Sequence, residues 1–149
     1  MSLNKAMHEL SGTVHKLSRL LSDYIRHQME LEGINDIHPS SEVVLLPLLS
    51  KEGQTLSDLA RELHMKAPTI TVIANRLEEM GWIRRRRGTH DRRQVHLFLT
   101  PEGREKANQL AGIHRKACQA MAANLNRESL SMTTNTLDQI ISNIFPIIS

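Results

Sequence analysis

Several residue types are scarce in this chain, and each shortage excludes a class of protein. The 149 residues include one cysteine, Cys118, which excludes an intrachain disulfide framework and a zinc site built from several cysteines. The longest apolar run spans seven residues, 43–49, whereas a membrane-spanning helix needs about 20. Four aromatic residues are too few for the stacking platforms that bind single-stranded nucleic acids. We therefore expect none of these classes and no membrane partner.

Glycine is scarce as well, and the chain shows none of the motifs that serve catalysis. Its seven glycines form no phosphate-binding loop, and no nucleophile–base or paired-carboxylate arrangement is recognisable. We therefore predict that the chain is not an enzyme and needs no cofactor. No basic start followed by an apolar stretch marks a signal peptide, so the expected location is the cytoplasm. With 40% apolar and 23% charged residues, the composition fits one domain with a buried core.

The positive charge is concentrated in one segment. Between Arg61 and Arg93, nine Lys and Arg residues stand against four acids, which gives this segment a net charge of +5. The rest of the chain has ten basic and twelve acidic residues, a net charge of −2. A basic segment on a slightly acidic chain is typical of a polyanion-binding site, although a solvated surface loop has the same composition.

The first 24 residues carry a heptad repeat. Apolar residues recur there at alternating spacings of four and three, which predicts one long helix with an apolar seam. The helix should end near Glu32 and Gly33, because glycine suits the position just after a helix. The seam consists of Leu3, Met7, Leu10, Val14, Leu17, Leu21 and Tyr24.

Three short helices are predicted in the middle of the chain. The first begins at residues 40–41 and contains Pro47, which should bend it or mark its true start. The second begins at Thr55, because Thr55 and Asp58 have the spacing of a capping box. The third has Pro68 in its first turn. Its buried face should be Ile70, Ile73, Leu77 and Met80, and its opposite face Thr69, Thr71, Val72, Asn75 and Arg76.

Two short strands with a basic loop between them follow this helix. Residues 82–85 and 95–99 are predicted to be the strands, and residues 86–94 the loop. Together these elements predict a mainly α fold, a winged helix-turn-helix with a two-stranded β-wing. In that arrangement the polar helix enters the major groove of DNA, and guanidinium groups of the wing reach phosphates or a narrow minor groove.

Two further helices are predicted after the wing. Thr100 and Pro101 are typical of a helix start, and this fifth helix should run to about Asn126. Residues 127–136 are polar and are predicted to form a connecting loop. A sixth helix is predicted from the apolar pattern of Leu137, Ile140, Ile141, Ile144 and Ile148.

Two sequence blocks carry a specific pattern. Residues 91–103 read DRRQVHLFLTPEG, with D-x-R followed by L-T-x-x-G, and residues 75–83 read NRLEEMGWI. In both motifs and in their spacing, the chain resembles the multiple-antibiotic-resistance regulator (MarR) family of bacterial transcription factors, and the terminal helices extend the resemblance to the whole chain. The resemblance implies a homodimeric regulator, expected to be a repressor, that binds a pseudo-palindromic DNA operator and is released by a small ligand.

The resemblance also implies roles for individual residues. Asp91 should accept a salt bridge from Arg93, and Arg93 should enter the minor groove. Asn75 stands where most members have Asp, so any ion pair made there becomes a hydrogen bond. Val72 stands where many members have Arg, and valine can contact only a thymine methyl group. Base reading is therefore expected to shift to Thr69, Thr71 and Asn75, with more of the affinity on the wing.

The candidate DNA-binding residues fall into two groups within a single domain, residues 1–149. Residues 36–103 are the predicted DNA-binding part, and residues 2–35 and 104–149 the predicted dimerisation helices. The recognition-helix group is Pro68, Thr69, Thr71, Val72, Asn75 and Arg76, and the wing group is Arg84, Arg85, Arg86, Arg87, Asp91, Arg92 and Arg93.

The sequence contains few residues that indicate a site for sensing a metal, an oxidant or a small ligand. The eight histidines include no His-x3-His pair, so we predict no metal site and interpret His114 as a hydrogen-bonded core histidine. Cys118 is interpreted as a buried, unreactive thiol rather than a redox switch. A pocket for a small aromatic or amphipathic effector is expected where the first, second and fifth helices meet, near His15, Arg19 and His38. The alternative function is a winged-helix structural or protein-interaction module without ligand control.

Overall fold

The N-terminal heptad forms one helix, as predicted. In the computed structural model, which describes residues 1–149, α1 spans Leu3–Leu31, and Gly33 takes a left-handed conformation (φ +67°) just after it. The mainly helical winged fold is confirmed. The elements after α1 are a 3₁₀ turn Pro39–Ser41, α2 Glu42–Ser50, β1 Gln54–Thr55, α3 Leu56–Glu62, α4 Ala67–Glu79, β2 Ile83–Arg87, β3 Val95–Leu99, α5 Pro101–Ala122 and α6 Arg127–Ile148.

The start of α3 is fixed by the predicted capping box. The Thr55 hydroxyl accepts the Asp58 N–H at 3.1 Å, and the Asp58 carboxylate accepts the Thr55 N–H at 2.9 Å. The hydrogen bond from the Thr55 backbone, followed by the contact with its hydroxyl, lowers the pKa of Asp58 below its usual 3.8 because both favour the ionised carboxylate. Earlier in the chain, Pro47 lies inside α2 and does not begin it.

The sheet has three strands, one more than predicted. Its order is β1–β3–β2, and both pairings are antiparallel. The extra strand, β1, is only two residues long, with Gln54 opposite Leu97. It forms because the Gly53 N–H donates to the Leu97 carbonyl at 2.9 Å, which brings the segment before α3 against the free edge of β3. The wing itself is the predicted hairpin of β2 and β3, but β2 spans 83–87 rather than 82–85, so Arg86 and Arg87 belong to the strand and not to the loop.

A core of 18 buried apolar residues lies between α2, α4, α5 and the sheet. On α4, Ile70 and Leu77 are buried as predicted, and Ala74 joins them. On β3, Leu97 and Leu99 face the core, as the predicted alternation requires. None of the helices is both long and apolar enough to span a bilayer.

The start of α5 packs directly on Trp82. The Thr100 hydroxyl accepts the Gly103 N–H at 3.0 Å and lies 2.6 Å from the Gly81 carbonyl, to which it donates. A side chain at position 103 would place its Cβ 1.8 Å from the Trp82 carbonyl oxygen. The glycine of the L-T-x-x-G motif is therefore required by close backbone approach.

The beginning of α6 departs from the prediction. Residues 127–136, predicted to be a loop, are helical, and α5 ends at Ala122 instead of near Asn126. The Asn126 side chain caps α6 by accepting the Ser129 N–H at 2.8 Å. The polar first turns escaped prediction because the helix there is held by its cap and backbone bonds, without an apolar face. Three threonine hydroxyls, at 133, 134 and 136, donate to carbonyls four residues earlier.

No residue of α6 is buried, yet the end of the helix touches the winged core. The Phe145 ring lies edge-on to the ring of His64, with 4.8 Å between centroids and an interplanar angle of 87°. His64 belongs to the turn between α3 and α4 and has a left-handed backbone conformation (φ +51°). The C-terminal end of α6 therefore contacts the turn that leads into α4.

Ion pairs connect α5 to the segment that runs from the end of α1 to β1. Four basic side chains on α5 each face a different acid of that segment. The hydrogen bond to Asp36 raises the pKa of Lys106 above its usual 10.5. His114 is half-buried and its Nε2 lies close to Glu42, but this buried nitrogen makes no hydrogen bond of good geometry, so the interpretation as a hydrogen-bonded core histidine is not confirmed. The pairs are Arg104–Glu52 (2.7 Å), Lys106–Asp36 (2.5 Å), His114–Glu42 (2.6 Å) and Lys116–Glu32.

Candidate nucleic-acid interface

One face of α4 is left uncovered by the core. Ile70, Ala74 and Leu77 point inward, and Ile73, predicted to be buried, is half-buried. On the opposite side the valine at position 72 is 69% exposed. The exposed residues at 69, 72 and 76 follow a helical spacing of three and four, so they form one narrow stripe. Five of the six predicted recognition residues are fully exposed: Pro68, Thr69, Val72, Asn75 and Arg76.

Thr71 lies at the border of this stripe. It is half-buried, and its hydroxyl donates to the Ala67 carbonyl at 2.8 Å. A threonine that bonds back to its own helix has its proton occupied, so only its lone pairs remain for another partner. Thr71 is therefore the least available of the predicted reading residues.

The strand β2 divides its arginines between two faces. Arg85 and Arg87 share the face of Ile83, whereas Arg84 and Arg86 point to the opposite face. Arg86 lies over the Phe98 ring, 5.3 Å from its centroid, a cation–π contact that holds the side chain along the sheet.

The turn at the end of the wing is shaped by Asp91. Its carboxylate accepts the Arg93 backbone N–H at 2.9 Å, and the Gly88 N–H donates to the Gln94 carbonyl at 2.9 Å. A Cβ at position 88 would lie 2.5 Å from the Asp91 carbonyl oxygen, so the turn needs its glycine. The predicted side-chain salt bridge between Asp91 and Arg93 is wrong, because the carboxylate closes an Asx-type turn on the backbone instead. The Arg93 guanidinium is left exposed.

The wing carries a group of five arginines that we call the free arginines. All five are exposed, and none belongs to any ion pair in the structure. Unpaired guanidinium groups at this density give the wing a strongly positive surface. The free arginines are Arg84, Arg86, Arg87, Arg92 and Arg93.

Arg85 is different from the other wing arginines. One nitrogen of its guanidinium lies 2.6 Å from the Asn75 side-chain oxygen, and the other lies 3.0 Å from a Glu78 carboxylate oxygen. Only 26% of the Arg85 side chain is exposed. Sequence reasoning missed this contact, although the alternation along β2 places Arg85 on the same face as Ile83 and so toward α4.

A cleft lies between α1 and the start of α2, at one side of the predicted effector region, and no residue of α5 lines it. Its volume is about 360 Å³, and its lining includes Arg26, His38 and Ser40. His38 lies 2.6 Å from the Ser40 hydroxyl through its Nδ1. His15 and Arg19 were also expected near the pocket, but both are exposed on α1 and do not line this cleft.

Cys118 does not match its prediction. The thiol is exposed, because Ala117 takes the buried position at that turn of α5 and the next residue points away from the core. The interpretation as a buried thiol is wrong for this chain.

Comparison with known proteins identifies the same family as the sequence motifs do. The MarR family model matches residues 38–95. The HTH-type transcriptional repressor MdtR of Bacillus subtilis (strain 168) is 31% identical over 120 residues, which cover 80% of this chain and 74% of that protein.

Solved structures show the same fold along nearly the whole chain. The transcriptional regulator BldR from Sulfolobus solfataricus superimposes with a TM-score of 0.72 at 22% identity, over 96% of this chain and 99% of that one. The structure of reduced AbfR bound to DNA gives a TM-score of 0.66 at 25% identity, over 94% of each chain.

Proposed function

Because the chain belongs to the MarR family of transcriptional regulators, and is therefore not an enzyme, we propose that it is a homodimeric repressor that binds a pseudo-palindromic operator in double-stranded DNA. The observation that carries this proposal is the set of five free arginines on the wing, together with the exposed stripe of α4, the helix that precedes it. Neutralising phosphates with unpaired guanidinium groups supplies the sequence-independent part of DNA affinity. AbfR, which shares the fold, was solved bound to DNA.

The DNA-binding part, residues 36–103, uses α4 as the recognition helix. The stripe is narrow enough for the major groove, which admits an α-helix. The exposed methyl groups of Val72 suit a thymine methyl, and the Arg76 guanidinium suits the O6 and N7 acceptors of guanine. Thr69 can donate to or accept from either kind of base. Asn75 is a poorer adenine reader than its type suggests, because its oxygen already accepts from Arg85.

The wing supplies the second set of contacts. Its turn presents Arg92 and Arg93 without acid partners, and the Asp91 carboxylate holds the backbone of that turn. Arg93 enters the minor groove, where the potential is most negative over narrow A·T-rich segments. The remaining free arginines contact phosphates on either side.

Dimerisation involves residues 2–35 and 104–149. The seam of α1 and the apolar residues of α6 are exposed in the single chain, from Leu3 (76% exposed) to Ile148 (56%). Exposed apolar seams on two helices mark an interaction site, and a two-fold partner that packs on both helices would bury them. Such a dimer presents two copies of α4, which matches a pseudo-palindromic operator.

Release by a small ligand involves the cleft between α1 and α2. Its Arg26 and His38 side chains suit a carboxylate, and Ile25 supplies an apolar wall, so the effector class is a small aromatic or amphipathic acid. The site of action is the cytoplasm. Salicylate-like acids should raise the melting temperature of the protein and weaken operator binding. If neither quantity changes with these acids or with a broad metabolite panel, ligand control is wrong.

The DNA-binding proposal is tested by titrating duplexes with the Arg93→Ala variant at several salt concentrations. An operator selected by the wild-type protein from random sequences is compared with a scrambled duplex. Loss of one charged contact should weaken binding to both and reduce the log–log salt slope by about one unit. The matched control is Arg115→Ala, an exposed arginine on α5 that belongs to no ion pair and lies outside residues 127–148, which should change neither. An unchanged slope for Arg93→Ala would contradict the role of the wing.

A further inference from the structure

Arg85 lies in the middle of β2 but joins the wing to the recognition helix. Its side chain crosses from the sheet to α4 and binds two residues one turn apart, Asn75 and Glu78, at 2.6 and 3.0 Å. Residues three apart on a helix lie on the same face, so the two acceptors are presented together. The two terminal nitrogens of one guanidinium therefore each bind a different acceptor on α4.

The chemistry of the group favours this geometry. A guanidinium has only donors in a rigid planar fork, so it fixes both distance and orientation between the elements it joins. The amide of Asn75 presents its oxygen, since Arg85 offers only N–H groups. A lysine at position 85 would offer a single flexible point charge, which cannot fix the orientation in the same way.

The charge of Arg85 is also neutralised within the protein. Glu78 supplies the opposite charge at 3.0 Å, and the side chain is 26% exposed, whereas the free arginines are exposed and unpaired. An arginine already paired with a carboxylate gains little from a phosphate, because contacting it would mean breaking the existing pair. Arg85 is therefore poorly suited to be one of the phosphate contacts, although the sequence placed it among them.

We propose that Arg85 is a positioning residue, which holds the wing at a fixed angle to α4 through Asn75 and Glu78 and so sets the preference for the operator. The inference rests on the proposed function. Specific binding needs the recognition helix in the major groove and the wing in the minor groove at the same time. Non-specific binding needs only phosphate contacts, which tolerate a loose wing.

The test compares Arg85→Ala with Arg84→Ala, its neighbour on the opposite face of the same strand. Both full-length variants are titrated with the selected operator and with a scrambled duplex over a range of salt concentrations. Arg85→Ala should bind the operator about tenfold more weakly, the effect of one lost charge-assisted contact, and leave the scrambled duplex unchanged. Its salt slope should match the wild type. Arg84→Ala should weaken both duplexes and reduce the slope by about one unit.

Glu78→Gln tests the same role, because the direction of its effect on DNA affinity depends on whether Glu78 holds Arg85. Removing an acid near DNA increases affinity for every duplex if Glu78 is only a surface charge. If Glu78 holds Arg85, the ratio of operator to scrambled affinity should instead fall.

Arg85→Lys keeps the charge and removes the fork, so it tests the proposal even if Arg85→Ala folds poorly. It should lose operator preference with an unchanged salt slope. Two results would overturn the positioning role. One is full operator preference in Arg85→Lys. The other is an Arg85→Ala variant that loses affinity equally for both duplexes and has a salt slope reduced by about one unit. A wild-type protein that shows no operator preference would instead contradict the proposed function, so the two failures are distinguishable.

Discussion

Two regions of the molecule carry apolar seams of similar regularity and use them in opposite ways. Between Ile25 and Ala117 the apolar residues form a continuous core, and all 21 buried residues lie in that stretch. The first 20 residues and the whole of α6 bury nothing. Leu10 and Ile144 occupy helical seams as regular as that of Leu110, yet they are 45% and 50% exposed while Leu110 is fully buried.

The difference shows that periodicity specifies a helix and its apolar face, but not the surface that covers the face. We call 25–117 the closed region, because its core is complete within one chain, and 3–20 with 127–148 the open region. Changes in the closed region should lower stability at any protein concentration. Changes in the open region should act through association, and so depend on concentration.

The largest effect is expected from Gly103→Ala in the closed region. The new Cβ would lie 1.8 Å from the Trp82 carbonyl oxygen and 3.0 Å from its Cα, so the start of α5 must move away from the sheet. We expect a loss of about 3 kcal/mol or more in the free energy of unfolding, measured by urea denaturation at two protein concentrations. Gly112→Ala on the same helix is the control: nothing lies within 4 Å of its Cβ, and it should be neutral or slightly stabilising. Equal behaviour of the two variants would show that the close approach is absent.

The next effect should come from Ile144→Asp in the open region. A carboxylate in an apolar interface should raise the dimer dissociation constant by about a hundredfold, since a buried unpaired charge is strongly unfavourable. Ser142→Asp introduces the same charge on another side of α6 and should change it little. Sedimentation across a range of micromolar concentrations gives both constants. A wild-type chain that stays monomeric there would remove the distinction between the two regions.

A smaller effect is expected at the capping box of α3. Thr55→Ala should cost about 1 kcal/mol of stability at pH 7, because it removes the acceptor for the Asp58 N–H.

The stability that this capping box contributes should also depend on pH. The folded pKa of Asp58 is depressed, so its contribution is present above the unfolded value of about 3.8 and is lost as pH falls through the folded pKa. The stability difference between wild type and Asp58→Asn should therefore narrow below pH 3.8. A difference that stays constant from pH 7 to pH 3 would contradict this linkage.

The smallest effect is expected for the ion pair between Lys106 and Asp36. Because the pKa of Lys106 is raised, the contribution is present below the unfolded value of 10.5 and is lost as pH rises through the folded pKa. Lys106→Met should destabilise the protein by less than about 1 kcal/mol at neutral pH, with the difference disappearing in strongly alkaline solution. Denaturant melts between pH 7 and pH 11 measure this, and a difference that grows with pH has the wrong sign.

Local signals in the sequence were sufficient for most of the fold. The Thr55–Asp58 spacing identified the start of α3, and the alternation through Leu97 and Leu99 identified β3. These features depend on residues close together in the chain, so short patterns contain them. The structural features that were not predicted are held by residues distant in sequence or by backbone hydrogen bonds alone. The short β1 exists because Gly53 meets Leu97, and the polar start of α6 has no apolar period to reveal it.

The candidate interface also has features that the sequence predicts and features that only the packing decides. Exposure of the α4 stripe followed directly from its helical period. The partner of Asp91 could not be predicted from the sequence. The spacing of Asp91 and Arg93 allows the carboxylate either to close a backbone turn or to bind the guanidinium. The contact between Asn75 and Arg85 joins residues ten apart across a helix and a strand, and only the packing of those elements decides it.

The contact between Phe145 and His64 links the far end of α6 to the turn that leads into α4. Phe145 lies 18 residues beyond the start of α6, a distance of about 27 Å along the helix at 1.5 Å per residue. A tilt of about 5° at the start of the helix therefore moves the ring by about 2 Å at the other end. The turn before α4 must follow such a movement or lose its edge-on contact with the ring. In the proposed dimer, a change in the angle between the two copies would therefore reach the turn that leads into α4.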